Sequence, residues 1–273
     1  MEYETRCGES VPVLGFGTWQ MDTRTAYEAV STALEQGYRH IDTAQLYENE
    51  DGVGWALEDA AVDREDVFLT TKINPMHTSH EAMVASVTGS LESLGTEYVD
   101  LLLIHWPNPL ADLETVMAAL DEAVDEGMAR FIGVSNFGRD RLDRARELAA
   151  EPIFTDQVLM HPWWPQRDLL GYCQGEDILL TAYSPLANGG AIDDDLLADI
   201  GSRYDKTGPQ VALRWSTQHD NVLTIPMSTS EAHIAENIDI FDFMLTREEH
   251  EAITRPSYLK TGLAVLKGQV GVL

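Results

Sequence analysis

Four residues of this sequence carry side chains suited to moving a proton: Asp42, Tyr47, Lys72 and His105. Asp42 closes a short apolar run, Tyr38 to Ile41, and Tyr47 follows before Val53-Gly54-Trp55-Ala56-Leu57 opens a helix-like pattern. Lys72 and His105 also close strand-like runs, Asp66 to Thr71 and Tyr98 to Ile104. An acid left at the end of a buried strand calls for a partner, and a buried lysine is costly unless paired. An ammonium beside a phenol favours the phenolate, so Lys72 is expected to lower the Tyr47 pKa from about 10. That shift would make Tyr47 a better proton donor or acceptor near neutrality. His105 is placed to donate a hydrogen bond to a substrate oxygen. Together the four can polarise a carbonyl and protonate the resulting alkoxide, given a source of hydride. Each has a plainer reading alone: an Asp–Lys pair as structure, a loop tyrosine as packing, a histidine after a strand as a core residue. Their fall on consecutive strand ends, near Trp19 and Trp106, favours chemistry. The two tryptophans suit rim packing as well as a substrate wall.

Alternating strands and helices must position these residues. Strand-like stretches run over Leu14–Trp19, Tyr38–Asp42, Asp66–Lys72, Tyr98–His105, Arg130–Val134, Phe154–Met160, Ile178–Tyr183 and Val222–Ile225. Helix-like stretches lie between most of them, among them Arg24–Gln36, Glu81–Leu94, Leu113–Glu126 and Arg141–Ala150. Two more, Asp195–Tyr204 and Pro209–His219, precede the eighth strand, and Glu231–Asn237 follows it. Eight strands alternating with helices predict a (β/α)8 TIM barrel. Thr18, Asp42, Lys72, His105, Asn136, Gln157, Tyr183 and Ser228 each fall at or just past a strand's C-terminal end, the end where barrels carry their chemistry. A doubly wound dinucleotide-binding domain is the competing fold. Gly15-Phe16-Gly17 and Gly52-Val53-Gly54 lack the third glycine that its fingerprint requires. Residues 1–273 are expected to form one domain, with 256–273 as a C-terminal tail.

Forty-six acidic residues face 18 basic ones, a net charge of −28, and only Lys72, Lys206, Lys260 and Lys267 are lysines. Such a balance suits a protein adapted to high salt, since the Debye length falls to about 3 Å at 1 M and screens self-repulsion. A halophilic source is therefore expected, although a generically soluble acidic protein has the same composition. Nucleic acid and acidic membranes are excluded as partners. Two cysteines, Cys7 and Cys173, form no disulfide framework or metal spacing. Met1 to Ser10 lacks a leader pattern and no apolar run is long enough to span a bilayer, so a cytoplasmic protein is expected. No metal site is expected.

Nearly end to end, the chain resembles the aldo-keto reductase superfamily. The resemblance is carried by Gly15-Phe16-Gly17-Thr18-Trp19, Asp42-Thr43-Ala44 with Tyr47 and Asn49-Glu50, Thr71-Lys72, and Leu103-Ile104-His105-Trp106-Pro107. It continues through Ile132 to Phe137, Gln157-Val158, His161-Pro162, Tyr183-Ser184-Pro185-Leu186, Ile225-Pro226 and Glu236-Asn237. The resemblance implies reduction of aldehydes and ketones with NADH or NADPH lying extended across the barrel mouth. Tyr47 would be the general acid, Lys72 and Asp42 its tuning pair, and His105 the carbonyl orienter. Ser135, Asn136 and Gln157 would hold the nicotinamide carboxamide, and Tyr183 would stack on its ring. Thr18 joins the cofactor contacts. Ser184, Leu186 and Asn188 would line the pyrophosphate, and Glu236 and Asn237 the adenine. Turn chemistry for Ser135 and Asn136, and core packing for Tyr183, are the competing readings.

Two departures bear on the cofactor. Members that prefer NADPH usually carry a lysine after Ile-Pro and an arginine six residues later. Here Met227 and His233 stand in those positions, with Ser228 and Ser230 as hydroxyl donors nearby. A charge-assisted contact contributes about 1.5–3 kcal/mol, so losing two is expected to weaken NADPH preference by about a hundredfold. NADH, or a much reduced preference for NADPH, is the expectation, with Arg203 or His233 as a substitute base in the alternative. The short segment after Trp106 suggests an open pocket for small aldehydes, keto-sugars or α-dicarbonyls. A monomer or weak oligomer is expected. A nicotinamide-binding sensor on the same barrel, with little turnover, is the alternative function.

Overall fold

A computed structural model describes residues 1–270, with the backbone alone for 267–270. In chain order its strands and α-helices are β1 (Tyr3–Arg6), β2 (Glu9–Pro12), β3 (Phe16–Gly17), α1 (Thr23–Glu35), β4 (His40–Asp42), α2 (Glu50–Asp59) and β5 (Phe68–Ile73). Then come α3 (His80–Leu94), β6 (Val99–Ile104), α4 (Leu113–Asp125), β7 (Ala129–Ser135), α5 (Arg139–Leu148), β8 (Ile153–Leu159), α6 (Arg167–Gly175) and β9 (Leu179–Tyr183). The chain continues through α7 (Asp195–Gly201), α8 (Gly208–Thr217), β10 (Val222–Ile225), α9 (Glu231–Ile238), α10 (Arg247–Ile253) and α11 (Tyr258–Val270).

β3 to β10 form one parallel sheet in sequence order. Its edges meet: Gly15 N donates to Thr224 O at 2.8 Å, Thr224 N to Val13 O at 2.7 Å, and Gly17 N to Pro226 O at 2.9 Å. The result is the expected (β/α)8 barrel. The first strand is shorter than Leu14–Trp19, because much of that stretch is spent on the closing contacts.

Helix ends follow their local chemistry. Asp22 accepts from Thr25 N at the start of α1, and Thr207 with Gln210 makes a capping box on α8. α1 buries Ala26, Ala29, Val30, Ala33 and Leu34 as one stripe against the sheet. The glycines of Gly52-Val53-Gly54 serve packing. A Cβ on Gly52 would lie 2.0 Å from Thr23 O, and one on Gly54 would lie 2.5 Å from Ser93 O. These positions let α2 approach α1 and α3 closely, and no larger residue fits.

The core has two parts. One lies between sheet and helices. The other fills the lower barrel with Phe68, Leu101, Leu103, Phe154, Leu179 and Leu223, joined by Val11 of β2. β1 and β2 form an antiparallel hairpin whose two-residue loop, Cys7-Gly8, has φ of 51° and 81°. Above the apolar layers the interior becomes polar, at Asp42, Lys72 and Gln157. A register shift prepares this change: Ile132 pairs with Ile153 but Val134 pairs with Asp156, so β8 holds one extra residue. That bulge lets Phe154 and Gln157 both face inward although they differ in parity.

Sequence periodicity missed the hairpin, α6, α10 and α11. It also ran Asp195–Tyr204 three residues past the end of α7. The expected tail, 256–273, contains α11, and its last residues, 271–273, lie outside the described residues.

Candidate active site

Asp42 and Lys72 sit at the upper ends of the neighbouring strands β4 and β5, their side chains 2% and 0% exposed. Lys72 Nζ pairs with Asp42 Oδ1, donates to Thr43 O at 2.8 Å and to the Tyr47 hydroxyl at 3.3 Å. Burial pulls the Lys72 pKa down, but Asp42 and Tyr47 outweigh it and hold the pKa above its ordinary range. Tyr47 closes a 3-10 turn, Gln45–Tyr47, and Glu48 reverses the chain in the left-handed region at φ 53°. Thr18 and Asn49 brace this turn. Thr18 Oγ1 donates to Thr43 Oγ1 at 3.0 Å, and Asn49 Nδ2 donates to Thr18 O at 2.8 Å.

His105 follows β6, with its ring edge-on to Tyr47 at 5.4 Å between centroids. Its Nδ1 is buried without a partner among the described residues. Burial and then the charge of Lys72 push its pKa down to about 3, so the ring is neutral at physiological pH. Burial pushes the Tyr47 phenol up, and Lys72 pulls it down without overcoming that effect. The expected lowering is therefore reversed. Desolvation disfavours the phenolate, and Asp42 cancels part of the lysine's field.

A second cluster adjoins the first. Ser135 Oγ donates to Gln157 O at 2.8 Å, Asn136 Nδ2 donates to Ser135 Oγ at 2.9 Å, and the Tyr183 hydroxyl donates to Asn136 Oδ1 at 2.9 Å. Asn136 holds φ at 62° to make this turn. Burial lifts the Tyr183 phenol to about 12, so it remains a donor. Gln157 Nε2 donates to Asp42 Oδ2 at 2.7 Å and joins the two clusters.

Both clusters open on one cavity of about 1130 Å³ at the barrel mouth. Its walls include Thr18, Trp19, Asp42, Tyr47, His105, Trp106, Ser135, Asn136, Gln157 and Tyr183. The far wall carries Ser184, Leu186, Asn188, Met227, Ser228, His233, Glu236 and Asn237. Lys72 lies behind the wall. Ser230 stays outside it, its backbone N–H donating to Ser228 Oγ at 3.1 Å. Ile192, Thr207, Pro209 and Val265 also line the cavity and had no sequence signal. The tail supplies Val265, and Asn188 Nδ2 ties the mouth to it by donating to Ala264 O at 2.9 Å. Asp194 accepts from Arg255 at 2.7 Å and from Lys260 at 3.0 Å, which anchors the same segment.

A model of the aldo/keto reductase family matches residues 13–256. The chain belongs to that family. Relatives of this aldo/keto reductase include glyoxal reductase of Bacillus subtilis (strain 168), 40% identical over 247 residues that cover 90% of this chain and 89% of the relative. Methylglyoxal reductase DkgA of Yersinia pestis is 39% identical over 255 residues, 91% of this chain and 90% of that protein. Among solved structures, one titled as a putative 2,5-diketo-D-gluconic acid reductase B superposes with a TM-score of 0.91 at 42% identity, covering 93% of this chain and 90% of that one. The aldo/keto reductase is accordingly an oxidoreductase, of a family that uses NAD(P)H. No helix among the described residues is long and apolar enough to cross a membrane, and none of them form a His/Cys/Asp/Glu group suited to a metal.

Proposed function

We propose that this aldo/keto reductase reduces small aldehydes and α-dicarbonyls, with Tyr47 giving the proton. The observation that carries the reading is Lys72 Nζ bridging Asp42 and the Tyr47 hydroxyl, beside a neutral His105 on the cavity wall. His105 accordingly serves as a neutral hydrogen-bond donor that orients the carbonyl oxygen toward the Tyr47 hydroxyl. As negative charge develops on that oxygen, Tyr47 hands over its proton. The phenolate left behind is stabilised by the adjacent Lys72 ammonium. Trp19 and Trp106 wall the substrate side. The glyoxal and methylglyoxal activities named for the relatives support a two- or three-carbon substrate.

A small aldehyde fills little of a cavity of about 1130 Å³, which exceeds the roughly 300–1,000 Å³ of ordinary small-molecule sites. The surplus, running from Gln157 and Tyr183 to Glu236, fits an extended dinucleotide. When bound there, the reduced nicotinamide supplies the hydride to the carbonyl carbon. Tyr183, its hydroxyl fixed by Asn136, offers a flat face for the nicotinamide ring. Ser135, Asn136 and Gln157 are placed for the carboxamide. Ser184, Leu186 and Asn188 suit the pyrophosphate, and Glu236 and Asn237 the adenine. No lysine or arginine is among the described residues lining the cavity, and Arg203 is occupied by Glu249 at 3.0 Å. Both facts support NADH, or a weak preference for NADPH.

Steady-state reduction of methylglyoxal, glyceraldehyde and a keto-sugar, with NADH and NADPH in parallel, tests the reading. Turnover of the small carbonyls is expected. Cofactor binding without turnover on any of them would favour a sensor. Adaptation to high salt belongs to the same proposal, and activity should rise with KCl. Full activity and stability in dilute buffer would remove that part.

A further inference from the structure

We propose that Gln157 is a positioning residue for proton transfer: from across the barrel it holds the far oxygen of Asp42, and so sets how much of that carboxylate's charge is left to cancel Lys72 beside Tyr47. The inference rests on Tyr47 as the proton donor and adds a role at the opposite wall.

The geometry is specific. β4 and β8 lie four strands apart in the sheet of eight, so Asp42 and Gln157 face each other over the full width of the barrel. Gln157 Nε2 reaches Asp42 Oδ2 at 2.7 Å, and both residues are buried. The other oxygen, Oδ1, pairs with Lys72, which reaches the Tyr47 hydroxyl. One continuous line of contacts therefore runs Gln157–Asp42–Lys72–Tyr47. A carboxylate only accepts, so the amide nitrogen must face Asp42, and Oε1 is left for other partners. The extra residue in β8 aims Gln157 inward, and its backbone carbonyl is fixed by Ser135 Oγ and Asn136 N. A residue that merely touched cofactor would not need its amide committed to Asp42.

The direction of the effect follows from charge. Donation from Gln157 stabilises Asp42 without using Lys72. Without that donor, Asp42 leans harder on Lys72 and cancels more of its field at Tyr47. The phenol then holds its proton to higher pH. The other ionisable groups around this line are His105, edge-on to Tyr47, Tyr183, which feels Tyr47 from β9, Glu50, which feels Lys72, and His40, which feels Asp42 and Lys72. A substitution at Gln157 leaves all four in place.

The test is the pH profile of kcat for 4-nitrobenzaldehyde reduction at saturating reduced cofactor, in the wild type, Gln157→Leu and Gln157→Met. The alkaline limb, where Tyr47 loses its proton, is expected to move up by about half a unit or more in Gln157→Leu. It should move in the same direction in Gln157→Met, which also removes the donor while keeping an unbranched side chain of similar length. The methionine is close in volume to glutamine and carries the test if the leucine variant does not fold. If the wild type turns over while both variants raise only the cofactor KM and leave the limb in place, the role proposed for Gln157 is wrong. A wild type without carbonyl turnover would instead overturn the proposed function, and this role with it.

Discussion

Gln157 Nε2 lies 2.7 Å from Asp42 Oδ2, joining opposite walls of the barrel at the level where its interior turns from apolar to polar. Below that level, leucine and phenylalanine side chains fill the barrel. Above it, one carboxylate is shared between an amide and an ammonium. The site is therefore a buried network in which each charge has a named partner, and such networks are costly when half satisfied.

That cost gives the first prediction. Lys72→Met should lower unfolding stability by about 3 kcal/mol or more, because Asp42 would be left buried without its ion-pair partner. Replacing both partners, Asp42→Asn with Lys72→Met, should recover at least half of the loss. Urea unfolding of the two variants checks this. A double variant no more stable than Lys72→Met alone would show that the pair is not what the single substitution breaks.

The second prediction concerns acid. His105 and His219 have pKa values pushed down to about 3, and His161 to about 4, each by burial. Unfolded histidine titrates near 6.5, so between about pH 6.5 and 3 the unfolded chain binds more protons at these sites. The stability they contribute is fully present above 6.5 and is lost as pH falls through that window. Asp194 and Glu249, whose carboxyls are held low, act in the same direction. Asp156 and Glu50, raised by burial, act in the opposite one. Thermal midpoints should fall on acidification from pH 6.5 to 4, and His219→Gln should flatten the fall. A midpoint that rises toward pH 4 would show that the raised carboxyls dominate.

Much of this arrangement is legible in the sequence, and the failures have physical causes. β10 has the expected bounds, Val222–Ile225, because a buried parallel strand is a plain apolar run. The hairpin β1–β2 lacks such a run, and only Cys7-Gly8 hints at its turn. α6 is broken up by Gly171 and Gly175, which mask its period. α10 did carry a signal, the capping box from Thr246 to Glu249. The residues at the strand ends were found by type and order. Their electrostatics were not, since the sign of the Tyr47 shift depends on how deeply the phenol is buried. Nor was the link from Gln157 to Asp42, since a one-residue bulge leaves no mark in the pattern. Asn49 was read as part of a motif and is in fact a brace for the Thr18–Thr43 turn.

A third prediction concerns the cofactor. Met227→Lys with His233→Arg should raise affinity for NADPH relative to NADH by tenfold or more, since each new charge-assisted contact contributes about 1.5–3 kcal/mol. Fluorescence titration with both cofactors reads this directly. Unchanged relative affinity would mean that the adenosine ribose lies elsewhere along the cavity.

The central claim is that Tyr47 supplies the proton. The most direct measurement is methylglyoxal reduction by Tyr47→Phe, paired with titration of the reduced cofactor into the same preparation. The expected result is a fall in kcat of about 100-fold or more, with cofactor affinity unchanged, since only the hydroxyl beside Lys72 has gone. Turnover within about threefold of wild type would contradict the assignment and require the proton to come from another group at the mouth of the barrel.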